Sequence, residues 1–190
     1  MENRVSSQDS SPKNSAKHKT YIIIIAAIVV IVAASFLFRS SVNWPVSRAL
    51  AHETDSEVEV YRRNWVSTND IVFNLHSVTH NESAVGVTRK LLKAAEALRG
   101  TRYERVILAY DGTEKFVLDG AYFQQLGEER SWQNPVYTIR TLPENIMHLD
   151  GSPAFGTWTG GWLGVMGQQL DDVNQWHKEW WQEDAVGNLR

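Results

Sequence analysis

Between Tyr21 and Phe38 the chain reads YIIIIAAIVVIVAASFLF, apolar on every face of a helix and without one charge. At 1.5 Å per residue this run makes a helix roughly 27 Å long, close to the hydrocarbon thickness of a bilayer, and predicts a transmembrane span over 21–38. A helix at the surface of a soluble core carries a polar face, and this one has none. A cleaved signal peptide has a shorter apolar core, about 7–15 residues, with a small-residue cleavage site soon after it. The one Ala-x-Ala pattern downstream, Ala49-Leu50-Ala51, lies well past Phe38. The expectation is therefore an uncleaved anchor.

Before the run, residues 1–20 are rich in Ser, Lys and Asn without apolar periodicity, which predicts a disordered tail. After it, 39–68 is mixed and reads as a juxtamembrane connector. Within it, Trp44 suits either the interfacial belt or an ordinary connector, and Glu57 to Val66 fits an edge strand or a helix.

Period-2 alternation begins at Asp70: Ile71, Phe73 and Leu75 against Val72, Asn74 and His76 predict a strand. Asn81 to Ser83 supplies caps for a helix over about Ala84 to Arg99, stopped by Gly100. Its apolar stripe is Val85, Leu91, Leu92, Ala95 and Leu98, with Arg89, Lys90, Lys93 and Glu96 expected on its surface. Val106–Tyr110 is continuously apolar, as in a buried central strand. Asp111-Gly112 then turns the chain into Lys115–Leu118, a hairpin. A short helix over Ala121 to Leu126 ends at Gly127, and Val136 to Arg140 predicts a fourth strand. Strand, helix, strand, strand, short helix, strand makes an α+β domain over 69–182, with a mixed sheet of about four strands, two to three helices and a right-handed first crossover.

Gly151 to Leu170 is uncharged for twenty residues, but Gly, Thr, Gln and Pro153 make it a poor second span. Gly156, Gly160 and Gly164 recur every four residues. On a helix they form a groove for another helix; in a loop they let Trp158 and Trp162 turn into the core. From Leu163 the apolar positions Leu163, Met166, Leu170, Val173, Trp176 and Trp180 predict an amphipathic carboxy-terminal helix, followed by a tail over 183–190. Trp180 and Trp181 are neighbours about 100° apart on a helix, so one is expected to stay partly exposed. Trp158, Trp162, Trp180 and Trp181 are the candidate partner surface, for another protein or a second copy, and the membrane interface is the other environment that suits an exposed tryptophan here.

Charge adds direction. The net charge is −3, divided as four Lys/Arg against two Asp/Glu in residues 1–20 and fifteen against twenty after Phe38. An acidic domain argues against nucleic acid, and the Arg62-Arg63 pair reads as solvated. Lys13, Lys17 and Lys19 before the run, against Arg39 and Arg48 after it, predict a cytoplasmic amino terminus and an extracytoplasmic domain, periplasmic in a bacterium.

Catalytic signatures are weak. Cysteine is absent, which removes disulfides and thiolate chemistry. His76 and His80 are four apart but at a strand end running into a loop, without HExxH. Ser77, Ser83, His76 and Asp111 lie near strand ends without a GxSxG elbow. Asp111, Glu114 and Lys115 resemble a nuclease spacing that a charged hairpin turn explains as well. Gly156 and Gly161 have P-loop spacing, but Trp162 and Leu163 stand where Lys and Ser/Thr are required. Asn81-Glu82-Ser83 is a glycosylation sequon with meaning only in a secretory lumen. No cofactor is implied. These patterns predict a single-pass protein presenting an extracytoplasmic binding or assembly module; the alternative is a membrane-tethered hydrolase with a site near His76, His80 and Asp111.

Overall fold

The computed structural model describes the backbone of residues 13–63 and 69–187, and the side chains of these residues except 13–20, 39 and 40. The chain divides into two compact units, Met1–Phe38 and Arg39–Arg190. Helix α1 (Lys13–Ala49) supplies the described part of the first. Its Tyr21–Phe38 side chains are exposed almost throughout. Among the described residues it is the one helix long and apolar enough to cross a membrane. The expected disorder of 1–20 is corrected over Lys13–Thr20, which is helical: once the apolar run nucleates a helix, each further residue adds a bond at little cost. Residues 1–12 lie outside the described residues.

The second unit is an α+β domain, and it starts earlier than the alternation at Asp70 suggests. Val42 and Val46 on the last turns of α1 are buried, and Leu50 just after it joins the same core. Strand β1 (Ser56–Arg62) resolves the ambiguous segment after Asp55: Val58 and Val60 face the core cluster while Glu57 and Glu59 alternate away. The Val60 N–H donates to Asn43 Oδ1 at 3.1 Å, which occupies an edge donor that a foreign strand would otherwise meet. Over its described residues, the stretch read as a connector therefore belongs to the domain.

Four more strands complete a five-stranded mixed sheet in the order β1-β2-β3-β4-β5. Strand β2 (Asp70–Val78) is antiparallel to β1 and parallel to β3 (Arg105–Tyr110). Helix α2 (Ala84–Leu98) is the crossover between them, its N-cap Ser83 accepting from Gly86 N–H at 3.0 Å. A two-residue turn with positive φ at both Asp111 (45°) and Gly112 (79°) leads into β4 (Thr113–Asp119). The mirror-image turn matches the twist of the strands, which is why Asp-Gly sits there. Ile71, Phe73 and Leu75 face the helices, and Val72, Ile107, Ala109 and Val117 form a second buried cluster on the opposite face.

Helix α3 (Gly120–Glu129) packs on α2 so closely that a Cβ on Gly127 would lie 2.3 Å from the Ala95 carbonyl oxygen. The expected strand over Val136–Arg140 is corrected: these residues form helix α4 (Pro135–Thr141). Asn134 Oδ1 caps the Val136 N–H at 3.0 Å and Pro135 presets the first helical φ, so local capping overrides the β propensity of Val, Tyr, Thr and Ile. Its place at the sheet edge goes to β5 (Ile146–Met147), reached through a 3₁₀ turn at Leu142–Asn145.

Helix α5 (Trp162–His177) runs into a π-helical turn at Lys178–Gln182 and a last helix, α6 (Glu183–Gly187), so the expected tail is helical as far as Gly187. The π turn corrects the second tryptophan expectation. Trp180 and Trp181 are both buried, at 0% and 5% exposure. An i→i+5 turn inserts one residue into the helix repeat and lets neighbours that would diverge share the inner face. Trp180 stacks on Trp176 (5.3 Å between centroids, 15° between planes) and meets Phe73 at 5.9 Å. Such pairs contribute about 0.5–1.5 kcal/mol each beyond their buried area.

Candidate functional site

Among the described residues, no hydrogen bond or ion pair joins His76, His80 and Asp111 directly to one another. His76 is half-buried, with Nε2 lying 3.1 Å from both Glu59 Oε2 and Asn74 Nδ2. Asn74 Oδ1 accepts from Gly112 N–H at 3.0 Å, so one buried amide links His76 to the Asp111-Gly112 turn. Asp111 itself is an exposed turn residue whose N–H bonds the Leu75 carbonyl at 2.9 Å. His80 is exposed on the turn after β2, and Ser83 is spent as a helix cap. Glu114 makes a two-pronged pair with Arg63 (2.9 and 2.7 Å), while Lys115 reaches Asp184 at 2.7 Å, so the nuclease-like spacing is dispersed. Among the described residues no three His, Asp or Glu side chains converge as a metal cage.

Two buried polar clusters escaped the sequence reading. Trp181 Nε1–H donates to His177 Nδ1 (2.9 Å), His177 Nε2 lies 2.8 Å from Thr88 Oγ1, and the Thr88 hydroxyl donates to the Ala84 carbonyl (2.9 Å). Because both end contacts have fixed donors, His177 must carry its proton on Nε2 and is neutral. Burial pushes its pKa down to about 3. Trp180 Nε1–H, alongside, donates to the Ala109 carbonyl at 3.2 Å, where a bulge interrupts the β3–β4 ladder. The second cluster corrects the expected surface position of Lys90: it is 1% exposed and paired with Glu82, while Ser56 Oγ accepts from Lys90 (2.5 Å) and donates to Glu82 Oε2 (2.8 Å). Lys90 stands three residues after Val87 and four before Ala94, in the middle of the buried stripe, and that position was its signal. Both networks tie helices to each other or to the sheet, and they are framework.

The exposed apolar groups lie elsewhere. The stripe of α5 is longer than the core that covers it: Val173 and Trp176 are buried, but Leu163 is 67% exposed, Leu170 47% and Trp162 69%. Leu163, Gly164, Gly167 and Leu170 fall at i, i+1, i+4 and i+7, on one side of the helix. A Cβ added at Gly164 or Gly167 would meet nothing within 4 Å. Glycine costs a helix interior about 1 kcal/mol relative to alanine, in full at Gly167 and in part at Gly164 in the first turn, and no internal packing returns it at either place. Gly156 and Gly160 precede the helix, so the four-residue glycine repeat does not form a helical groove. Of the predicted tryptophans, Trp162 stands exposed and Trp158 is half-buried, its Nε1–H donating to Asp172 Oδ2 at 2.6 Å and latching the loop onto α5. Trp180 and Trp181 leave the candidate surface because they are core.

Between α2, α3 and α4 lies a groove of about 220 Å³. Val85, Arg89 and Leu92 line it from α2, Leu126 and Glu129 from α3 with Arg130 just past its end, and Ile139 from α4. Val85, expected in the core stripe, is 53% exposed because it stands at this opening. Comparison of the chain with known protein families, with curated proteins and with solved structures gives no match.

Proposed function

We propose that the protein is a single-pass membrane-anchored binding module that docks a helix of another protein against the first half of α5. The observation that carries the reading is the uncovered half-stripe of Leu163, Gly164, Gly167 and Leu170, where two helical glycines have no neighbour inside the domain. Small residues let helix backbones approach closely, and flanking leucines supply the apolar area that such a contact needs. Trp162, at the start of the same helix, is the aromatic anchor of the surface. The apolar run of α1 serves as the tether, and Lys13, Lys17 and Lys19 before it argue for a cytoplasmic amino terminus and an extracytoplasmic domain.

The test is a pair of full-length variants, Gly164→Leu and Gly167→Leu, followed in membranes by chemical cross-linking and mass measurement of the adduct. Loss of a wild-type adduct of this chain with a different protein, with the melting temperature no lower than that of the wild type, is the expected result. An adduct that survives both substitutions, or one whose mass is two copies of this chain, overturns the heterologous helix. Protease accessibility of the carboxy-terminal domain in sealed vesicles reads the orientation directly.

A further inference from the structure

We propose that the groove between α2, α3 and α4 binds a small anionic amphiphile, an aliphatic monocarboxylate whose tail enters the groove and whose carboxylate meets the two guanidinium groups at its rim. Three helix stripes converge there. Val85, Arg89 and Leu92 are spaced by four and three residues on α2, and Leu126 on α3 is four residues before Arg130, the C-cap of that helix. Leu92 and Leu126, 7% and 3% exposed, are the buried apolar walls, and Ile139 closes the third side. The space arises because α2 and α3 touch at the Gly127–Ala95 crossing while α4 buries none of its residues and stands off from both.

Size and charge define the occupant. A volume of 220 Å³ equals about seven water-sized groups at ~30 Å³ each, which suits a tail of five to seven carbons. The residues after Phe38 carry fifteen Lys/Arg against twenty Asp/Glu, yet this rim holds two guanidiniums and one carboxylate, Glu129. Arg89 pairs with Glu53 at 3.3 Å and Arg130 with Glu96 at 2.9 Å. Each of these contacts engages one of the five N–H donors that a guanidinium carries. Glu129 accepts from Gln125 at 2.8 Å. A carboxylate at the rim gains charge-assisted hydrogen bonds from the N–H donors that these pairs leave over on Arg89 and Arg130, and an alcohol of the same length gains no such charge term. An alkylammonium meets two like charges. The proposal concerns a face distinct from the half-stripe of α5 and stands or falls independently of the docking reading.

The experiment uses full-length protein in lipid nanodiscs, with empty nanodiscs as the blank. Methyl NMR of the Val, Leu and Ile side chains follows titration with hexanoate, hexanol and hexylamine. Hexanoate is expected to shift the methyls of Val85, Leu92, Leu126 and Ile139, hexanol to bind about tenfold more weakly, and hexylamine to leave them unmoved. The double variant Arg89→Gln/Arg130→Gln should lose about tenfold for hexanoate and nothing for hexanol. Leu126→Trp fills the groove and should abolish binding, and Val85→Trp does the same from an exposed position that the core does not depend on. Hexanol binding as tightly as hexanoate, hexanoate leaving these methyls in place, or undiminished binding to a natively folded Val85→Trp variant each overturns the proposal.

Discussion

Replacing Gly164 and Gly167 with alanine separates two roles that a glycine in a helix can have. Where a glycine serves packing inside the domain, as Gly127 does beneath the Ala95 carbonyl, a new Cβ collides and the fold loses stability. Where it serves something outside, the new methyl finds open space and helix propensity alone decides the sign. Both positions in α5 are of the second kind, with nothing within 4 Å of a built Cβ. Gly167→Ala, inside the helix, then stabilises by about 1 kcal/mol and Gly164→Ala, in its first turn, by less, so the pair gains between about 1 and 2. For a unit of this size, that raises the melting temperature by about 2–8 °C. Differential scanning calorimetry of full-length protein in nanodiscs measures it, without any added partner. A fall in melting temperature, or no change in the double variant, would show an internal role for these glycines and remove the main support for the docking face.

Two further outcomes follow from the buried polar clusters. His177 has a folded pKa of about 3 against an ordinary 6.5, so between those values the unfolded chain binds the proton and the folded one does not. Its contribution is full above pH 6.5 and is lost at about 1.4 kcal/mol per unit as pH falls toward 3, and urea unfolding at pH 5 should show a loss of about 2 kcal/mol that His177→Gln flattens. A wild-type slope that persists in the variant would place the titration on another group. Lys90→Met strands the Glu82 carboxylate in the core and should cost about 3–5 kcal/mol, most of it recovered in Lys90→Met/Glu82→Leu; a single variant costing under about 1 kcal/mol would contradict the buried pair.

What the chain disclosed by itself was whatever local chemistry decides. Alternation at Ile71, Phe73 and Leu75, the Asp111-Gly112 turn and the cap before Ala84 each have a short-range cause, and each stands where expected. Val136–Arg140 reads as a strand because its β-branched and aromatic residues argue for one more loudly than the single Asn134-Pro135 cap argues for a helix. An ideal 100° step would part Trp180 from Trp181, and one π turn suffices to change it. The uncovered half of the α5 stripe was illegible for a deeper reason. Leu163, Leu170, Val173 and Trp176 form one unbroken stripe in the sequence, and only tertiary packing shows that the core covers half of it.

On the proposed reading, the uncovered half-stripe of α5 receives a helix from another protein. Site-specific photo-cross-linking in intact membranes tests it most directly, with the photoreactive residue placed at Leu163 or Leu170 and, as a control, at the exposed Lys178 past the helix end. A single protein adduct is expected from both leucine positions, absent from the control and lost when Gly164→Leu is added. Adducts only with lipid or with a second copy of this chain, or equal yields from all three positions, would contradict it.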